Sequence, residues 1–149
     1  MVNKIEKIFY YIDVVPNQGG QWYYALSTLS FLKKNLLSYI EIDVICTNKK
    51  VHYHLKKEKI NSIFVNLSFI DKVYLRVAKY FPISKFLVSK FEQYLLNKKC
   101  SLLYVPHFFP RSRLINNLPL VVTILDLCHL DYPNLKEFTK SKEFKRRED

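Results

Sequence analysis

Residues 7–26 read KIFYYIDVVPNQGGQWYYAL, a stretch in which a strand pattern, a glycine turn and a helix pattern follow one another. Residues 7–15 are apolar, aromatic or β-branched except at Lys7 and Asp13, and this pattern predicts a buried β-strand. From residue 21 to residue 37 the apolar side chains recur at helical spacing. A strand, a tight turn and a helix in this order are the first unit of a parallel α/β sheet.

The rest of the chain continues the alternation of strand and helix patterns. Further strands are predicted at residues 41–47, 61–69, 101–105 and 120–125, and further helices near 52–58, on both sides of Pro82 and from 136 onward. The last of these strands is uniformly apolar, which predicts a central position in the sheet. The whole pattern predicts a single α/β domain over residues 1–149, with a parallel sheet and right-handed crossovers.

Glycine is unusually scarce in this chain. Gly19 and Gly20 are the only 2 glycines among 149 residues, whereas average usage of about 7% would give roughly ten. Their place between a strand and a helix allows a positive φ angle and a close approach of a ligand to the backbone. The N–H groups of the helix start suit a phosphate or a sugar hydroxyl, although an ordinary tight turn also accounts for the pair. The dinucleotide fingerprint G-x-G-x-x-G and the P-loop signature are both absent from the sequence.

Composition excludes several classes of protein. Apolar residues make up 49% of the chain, enough to bury a core, so the chain is not predicted to be disordered. Cys46, Cys100 and Cys128 are odd in number and far apart, which argues against a disulfide scaffold and for a reducing, cytoplasmic compartment. The sequence has no C-x-x-C pair, and His52 and His54 have no third ligand near them in the chain, so no metal site is predicted.

The net charge of +11 predicts an anionic partner. A nucleic acid, a lipid headgroup surface and a phosphorylated ligand all have the required charge, and a lysine-rich composition alone also explains the value. The sequence shows no helix-turn-helix, RRM or KH pattern, which argues against nucleic acid. Basic side chains flank the two helical segments around Pro82, where amphipathic helices would present them to an anionic membrane surface.

Three polar segments follow predicted strands at the point where each strand ends. They are the glycine turn after the first strand, His107 after the fourth, and Asp126 with His129 after the fifth. In an open parallel sheet these carboxyl ends lie at one edge, where ligands bind. An aspartate and a histidine there are suited to accept a proton or to bind a hydroxyl group. Each also has a structural interpretation, in which Asp126 caps a turn and His107 is an ordinary loop histidine.

Four segments of the chain carry a family resemblance. They are DVVPNQGGQWYY at residues 13–24, VPHFFP at 105–110, VVTILDLCHLDYP at 121–133 and KEFKRRE at 142–148. In this order they resemble the N-terminal domain of retaining glycosyltransferases of family 4. The resemblance implies a GT-B architecture, in which two Rossmann-like domains, each a parallel sheet with helices on both faces, enclose a cleft. On this resemblance the chain is the N-terminal, acceptor-side domain, and we expect it to be truncated at its C-terminal end.

The resemblance also implies roles for individual residues. The glycine loop would hold the phosphates or the sugar of a nucleotide-sugar donor. The positions that match this loop and the end of the fourth strand, and so the expected substrate-binding residues, are Gln18, Gly19, Gly20, Gln21 and His107. Asp126 and His129 are the expected catalytic residues near the transferred sugar; the family often has a histidine directly before the aspartate, where this chain has Leu125.

The second substrate implied by the resemblance is a glycan or a lipid-linked acceptor, and no metal or other cofactor is implied. The family's C-terminal domain holds the nucleotide-sugar with a spaced pair of glutamates, and the glutamates of this chain do not show that spacing. We therefore expect a hexosyltransferase domain without activity on its own, at the cytoplasmic face of a membrane. Two alternatives stay open: a non-catalytic subunit or binding module that pairs with a separate C-terminal domain, and a basic nucleic-acid-binding α/β protein.

Overall fold

The chain folds around a five-stranded parallel sheet, which a computed structural model describes over residues 6–36, 39–77, 88–107 and 110–123. In chain order the strands and helices are β1 (Lys7–Tyr11), α1 (Gly20–Leu36), β2 (Glu41–Cys46), α2 (Lys49–Lys57), β3 (Ser62–Phe64), α3 (Phe69–Val77), α4 (Lys90–Asn97), β4 (Leu102–Val105) and β5 (Leu120–Val122). Short 3-10 helices, Pro16–Gln18 and Pro110–Leu114, follow β1 and β4. The strand order is β3-β2-β1-β4-β5, with every neighbouring pair parallel. The predicted Rossmann-like α/β fold is confirmed.

Helices cover both faces of the sheet because side chains alternate along its central strand, β1. Ile8 and Tyr10 point to the face on which α1 and α2 bury Trp22, Ala25, Leu29, Val51 and Leu55. Phe9 and Tyr11 point to the other face, where the packing side chains of α3 and α4 are Tyr74, Leu75, Phe91 and Leu95. The Tyr10 hydroxyl donates to the Ala25 carbonyl oxygen (2.8 Å) and so fastens α1 to the sheet. Each face therefore has its own apolar core.

Two buried carboxylates organise the second face. Asp71 accepts from the backbone N–H and the hydroxyl of Ser68 (3.1 and 2.7 Å) at the start of α3, and from the backbone N–H of Lys90 (2.9 Å) at the start of α4. Glu92 of α4 is fully buried and accepts through Oε1 from three successive backbone N–H groups, those of Asn116, Asn117 and Leu118. The first carboxylate joins two helix starts, and the second holds the segment that leads into β5.

The observed strands are shorter than predicted, and one of them lies in a different place. The predicted strand at 7–15 ends as β1 at Tyr11, and the one at 61–69 ends as β3 at Phe64, since α3 already begins at Phe69. The central position predicted for the strand at 120–125 is not seen within the described residues, where β5 pairs with β4 alone and Val121 is 43% exposed. An apolar sequence does not specify how many strands flank it, so it does not distinguish a central strand from an edge strand.

Part of the predicted helical structure lies outside the described residues. Of the two segments predicted around Pro82, α3 and α4 are the described parts, and residues 78–87 between them are not described. The same holds for residues 124–149, which include the helix predicted from 136 onward. The helices predicted at 21–37 and near 52–58 are confirmed as α1 and α2.

Cys46 and Cys100 are buried free thiols. Burial raises the pKa of Cys46 from its ordinary value of 9.0 to about 12 and that of Cys100 to about 11, because a thiolate is poorly solvated inside the protein. Both cysteines therefore act as small buried apolar residues. Cys128 lies outside the described residues.

A folded Cys128→Ser variant should therefore be inert to a thiol reagent such as Ellman's reagent at mildly alkaline pH, while both thiols react once urea unfolds it. The raised pKa values also predict the sign of the pH dependence of stability. Below pH 9.0, where the unfolded thiols are still protonated, burial of the two protonated thiols does not make the free energy of unfolding depend on pH. As the pH rises toward 11 and 12, the unfolded thiols ionise first and the free energy of unfolding falls. Rapid labelling of the folded variant would contradict this account.

Candidate functional site at the switch point of the sheet

The carboxyl ends of β1 and β4 meet where the chain reverses its progress across the sheet. From β1 the chain moves to β2 and β3 on one side, and it later returns to β4 and β5 on the other side. Open parallel sheets bind ligands in the crevice at such a switch point. Asp13, Thr47 and His107 follow the ends of β1, β2 and β4, so the topology brings all three to this edge.

The Asp13 carboxylate is the centre of a hydrogen-bond cluster at this edge. Its Oδ1 accepts from the Thr47 backbone N–H (3.2 Å), and its Oδ2 accepts from the hydroxyls of Thr47 (2.9 Å) and Tyr11 (2.8 Å). Arg111, from the 3-10 helix that follows β4, forms an ion pair with Oδ2. Only 6% of the Asp13 side chain is exposed, so these donors replace the water that the charge has lost.

Arg111 connects this buried cluster with the surface. Its Nη1 also donates to the Tyr11 hydroxyl oxygen (3.2 Å), and its side chain is 32% exposed. Burial, reinforced by the Asp13 charge, raises the pKa of Tyr11 far above its ordinary value of 10.0. The Tyr11 hydroxyl therefore keeps its proton and serves as a donor to Asp13, while about a third of the Arg111 side chain stays exposed to solvent.

His107 lies beneath the crevice and is only 3% exposed. Its Nε2 accepts from the Asp13 backbone N–H (3.2 Å), so the neutral ring carries its proton on Nδ1. The ring also packs against that of Tyr11, with 6.0 Å between the ring centroids. His107 thus joins the end of β4 to the end of β1 and positions the backbone from which the glycine loop departs.

The glycine loop turns the chain from β1 into α1. The Gly19 N–H donates to the Pro16 carbonyl oxygen (3.1 Å), and Gly19 has a φ of +58°, which glycine adopts without steric cost. The Gly19 carbonyl oxygen then accepts from the N–H groups of Trp22 and Tyr23 (3.1 and 3.3 Å), which begins the helix. The Trp22 side chain is buried and anchors the first turn. The fold therefore accounts for glycine at position 19.

Gly20 has no corresponding structural requirement. Its φ lies outside the left-handed region, and a Cβ atom added to it would meet no atom within 4 Å. Gly20 and Gln21 are exposed at the start of α1, where backbone N–H groups have no carbonyl partner within the helix. Among the described residues the N–H groups of Gly20 and Gln21 have no acceptor, and they lie at the positive end of the α1 dipole. This arrangement suits a phosphate oxygen or a sugar hydroxyl.

The structure describes some of the predicted site residues, and the others lie outside its described part. Those exposed at the carboxyl edge are Gly19, Gly20 and Gln21. His107 lies buried below them and is connected to the loop through Asp13, with which it shares a hydrogen bond. The Gln18 side chain lies outside the described part of the chain, as do Asp126 and His129, which follow β5 in the sequence.

The sequence did not single out Asp13, Thr47 or Arg111 as site residues. Asp13 is flanked by apolar residues and fits the predicted strand, and its partners Thr47 and Arg111 are 34 and 98 positions away. The available signal is the charge itself, because a carboxylate within a buried strand pattern needs hydrogen-bond donors around it. The identity of those donors depends on the strand order, which the sequence pattern does not specify.

The described residues contain no group of three His, Cys, Asp or Glu side chains placed to hold a metal ion. In the same ranges, no helix combines the length and the apolarity needed to cross a membrane. Comparison of the whole chain with protein-family models, curated proteins and solved structures gave no match. The geometry of the carboxyl edge is thus the basis for a functional assignment.

Replacement of Asp13 by alanine should lower the free energy of unfolding by about 2–4 kcal/mol, since it leaves the Tyr11 hydroxyl, the Thr47 N–H and Arg111 without their common acceptor. Asp13→Asn keeps an oxygen that accepts from the Thr47 N–H but loses the charge. Its free energy of unfolding should lie between those of Asp13→Ala and the wild type. Urea unfolding followed by circular dichroism measures both losses.

Asp43 provides a matched control, because its carboxylate forms an ion pair with Lys7 (2.8 Å) nearer the surface. Asp43→Ala should cost no more than about 1 kcal/mol, as is usual for exposed pairs. Equal losses in the Asp13→Ala and Asp43→Ala variants would show that the buried cluster does not hold the edge together.

Proposed function

We propose that this chain is the N-terminal, acceptor-side domain of a GT-B glycosyltransferase that moves a sugar from a nucleotide-sugar to a glycan or lipid-linked acceptor. The observation that carries the proposal is the bare glycine loop at the carboxyl edge of β1, beside the switch point of a β3-β2-β1-β4-β5 sheet. The sequence segments that resemble retaining glycosyltransferases of family 4 include this loop and the end of β4. Fold and resemblance thus favour the same edge as the ligand site.

Gly20 supports the presence of a ligand at this loop. The chain uses glycine at only 2 positions, and the backbone geometry explains only the one at Gly19. A side chain at position 20 would stand in open space next to the first N–H groups of α1 and would shield them from outside. Glycine keeps these groups accessible to an oxygen atom of a ligand, and the diphosphate of a nucleotide-sugar has the matching charge.

The proposed division of roles follows from the contacts at the edge. His107 and Asp13 are positioning residues that hold the root of the loop, and Arg111 offers the exposed part of its guanidinium group to the ligand. Asp126 and His129 follow β5 and are the proposed catalytic groups near the transferred sugar. The proposed reaction takes the nucleotide-sugar as a substrate, and the resemblance implies no metal ion or other cofactor.

Transfer in such an enzyme depends on positioning the two substrates and on stabilising the leaving phosphate. Both tasks need the donor-binding domain as the second wall of the cleft, so we expect no sugar transfer by this chain alone. A non-catalytic module that pairs with a separate donor-binding domain would use the same loop in the same way. Transfer by a mixture of the two chains would identify such a pair.

The proposed location is the cytoplasmic face of a membrane. The net charge of +11 favours an anionic surface, and the free thiols of Cys46 and Cys100 fit a reducing compartment. Cell fractionation tests the location, because the protein should sediment with membranes at low salt and be released at high salt. Recovery in the supernatant at low salt would contradict it.

A Gly20→Ala variant separates ligand binding from folding. Alanine meets no atom of the fold and suits the first turn of a helix, so the free energy of unfolding should stay the same or rise by about 0.4–1 kcal/mol. The methyl group stands beside the free N–H groups, so affinity for a nucleotide-sugar should fall about tenfold, equivalent to about 1.4 kcal/mol. Backbone amide NMR spectra recorded during titration with UDP-glucose or GDP-mannose measure this affinity.

In the wild-type chain the titration should shift the amide signals of the loop, those of Gly19, Gly20 and Gln21, more than the signals of the opposite sheet edge. Ser30→Ala is the control, because Ser30 is exposed on the same helix away from the loop. It should bind as the wild type does. The proposal fails if neither nucleotide-sugar shifts the loop signals, or if Gly20→Ala binds as tightly as Ser30→Ala.

A further inference from the structure

A second feature of the carboxyl edge is a groove of about 390 Å³ between the β1–α1 connection and α2. Val15, Pro16 and Asn17 form one wall, and Lys50 and His54 of α2 form the other. The two basic residues are one helical turn apart and therefore point to the same side of α2. The volume lies within the range of about 300–1,000 Å³ that is usual for small-molecule sites. The groove is open to solvent, has room for a small molecule and lies at the edge where open parallel sheets bind ligands.

The polar atoms of the two basic side chains of the groove have no role within the described fold. Among the described residues, the Lys50 ammonium group and the His54 ring nitrogens have no hydrogen-bond or ion-pair partner. Other basic residues of the same helix are engaged: His52 bonds through Nδ1 to the Ser62 hydroxyl (2.9 Å), and Lys57 lies over the Tyr53 ring, 4.7 Å from its centroid. Lys49 and Lys56 likewise have no partner among the described residues, but only Lys50 and His54 line the groove.

The His54 ring is nevertheless held in place. It packs edge-on against the buried Trp22, with 6.4 Å between centroids, and against Tyr53 at 5.8 Å. These contacts fix the ring without occupying its nitrogen atoms. A ligand in the groove would therefore meet a preset polar group, and ordering that group on binding would cost little entropy.

The charge around the groove is one-sided. Helix α2 contains Lys49, Lys50, Lys56 and Lys57 and has no acidic residue in its first turn. Cations in the first turn of a helix are opposed by the helix dipole, so Lys49 and Lys50 stand where they do not help α2 to form. The described lining of the groove contains no carboxylate that would offset Lys50. An anion in the groove would relieve this unfavourable placement.

We infer that this groove binds the phosphate group of a phosphorylated sugar, with the Lys50 ammonium group as its charged contact and His54 as a hydrogen-bonding partner. Asn17 lies on the opposite wall and offers an amide group to the sugar hydroxyls. If the proposed function holds, this ligand is the acceptor, because the glycine loop takes the phosphates of the donor. The transferase would then act on an acceptor that carries a phosphate group close to its sugar.

The test is an amide NMR titration of the whole chain with glucose 1-phosphate and, separately, with glucose. Glucose 1-phosphate should shift the signals of Asn17, Lys50 and His54 with a dissociation constant of about 1 mM, and glucose should shift them far less. Lys50→Gln should weaken the binding of glucose 1-phosphate about tenfold, since it removes the charged partner of the phosphate. Lys56→Gln makes the same change on another face of α2 and should leave the affinity unchanged.

A stability measurement completes the test. Lys50→Gln removes a cation from the first turn of α2 and should raise the unfolding temperature by about 1–3 °C, so its loss of binding would not reflect a loss of folding. Gly20→Ala should keep its affinity for glucose 1-phosphate, which separates this groove from the glycine loop and from the proposed function.

Three results would overturn the inference. The first is that glucose and glucose 1-phosphate shift the signals equally, and the second is that Lys50→Gln binds glucose 1-phosphate as tightly as the wild type. The third is that glucose 1-phosphate causes no shift although the protein binds phosphatidylglycerol vesicles in a way that depends on Lys50. The last result would identify a membrane surface as the source of the phosphate. Binding of glucose 1-phosphate that depends on Lys50 and not on Lys56 supports a small phosphorylated ligand.

Discussion

The burial of the Asp13 carboxylate is the constraint on which the carboxyl edge of the sheet depends. A charge that is only 6% exposed must find donors inside the protein, and it finds them on three separate segments. Tyr11 belongs to β1, Thr47 follows β2, and Arg111 follows β4. One carboxylate therefore joins the carboxyl ends of three neighbouring strands. The cluster thus adds side-chain contacts to the backbone hydrogen bonds that pair β1 with β2 and β4.

This cluster also determines how the chain leaves the sheet. The Ile12 N–H donates to the Ile45 carbonyl oxygen of β2 (2.9 Å), and the next N–H, that of Asp13, donates to His107 beyond β4. The backbone after β1 is thus held from both sides before it enters the glycine loop. Trp22 anchors the far end of the loop in the core under α1. A loop with both ends fixed can present its N–H groups in one geometry, which is what a preorganised ligand site needs.

The sequence predicted the features that depend on local pattern. Alternating side chains such as Phe9 and Tyr10 identify a strand with two buried faces, and the scarcity of glycine marks the β1–α1 loop. The sequence pattern did not predict which strands are neighbours. For that reason β5 was expected in the centre of the sheet, and the partners of Asp13 were not identified. These depend on crossovers that bring Thr47 and Arg111 to one carboxylate from 34 and 98 positions away. His107 was identified from its position after a strand, and the structure adds that its ring is a buried support of the loop.

The clearest functional information lies in pairs of like residues of which the fold explains only one. Gly19 has a left-handed φ, whereas Gly20 has an ordinary one and open space around it. His52 bonds to Ser62 across to β3, whereas the nitrogens of His54 have no partner among the described residues. In each pair the unexplained member lies beside the β1–α1 connection, where the bare start of α1 and the groove meet. We propose that their common place at the carboxyl edge, where open parallel sheets bind ligands, reflects contact with a molecule outside the chain. The lysines at the start of α2 favour an anion as that molecule.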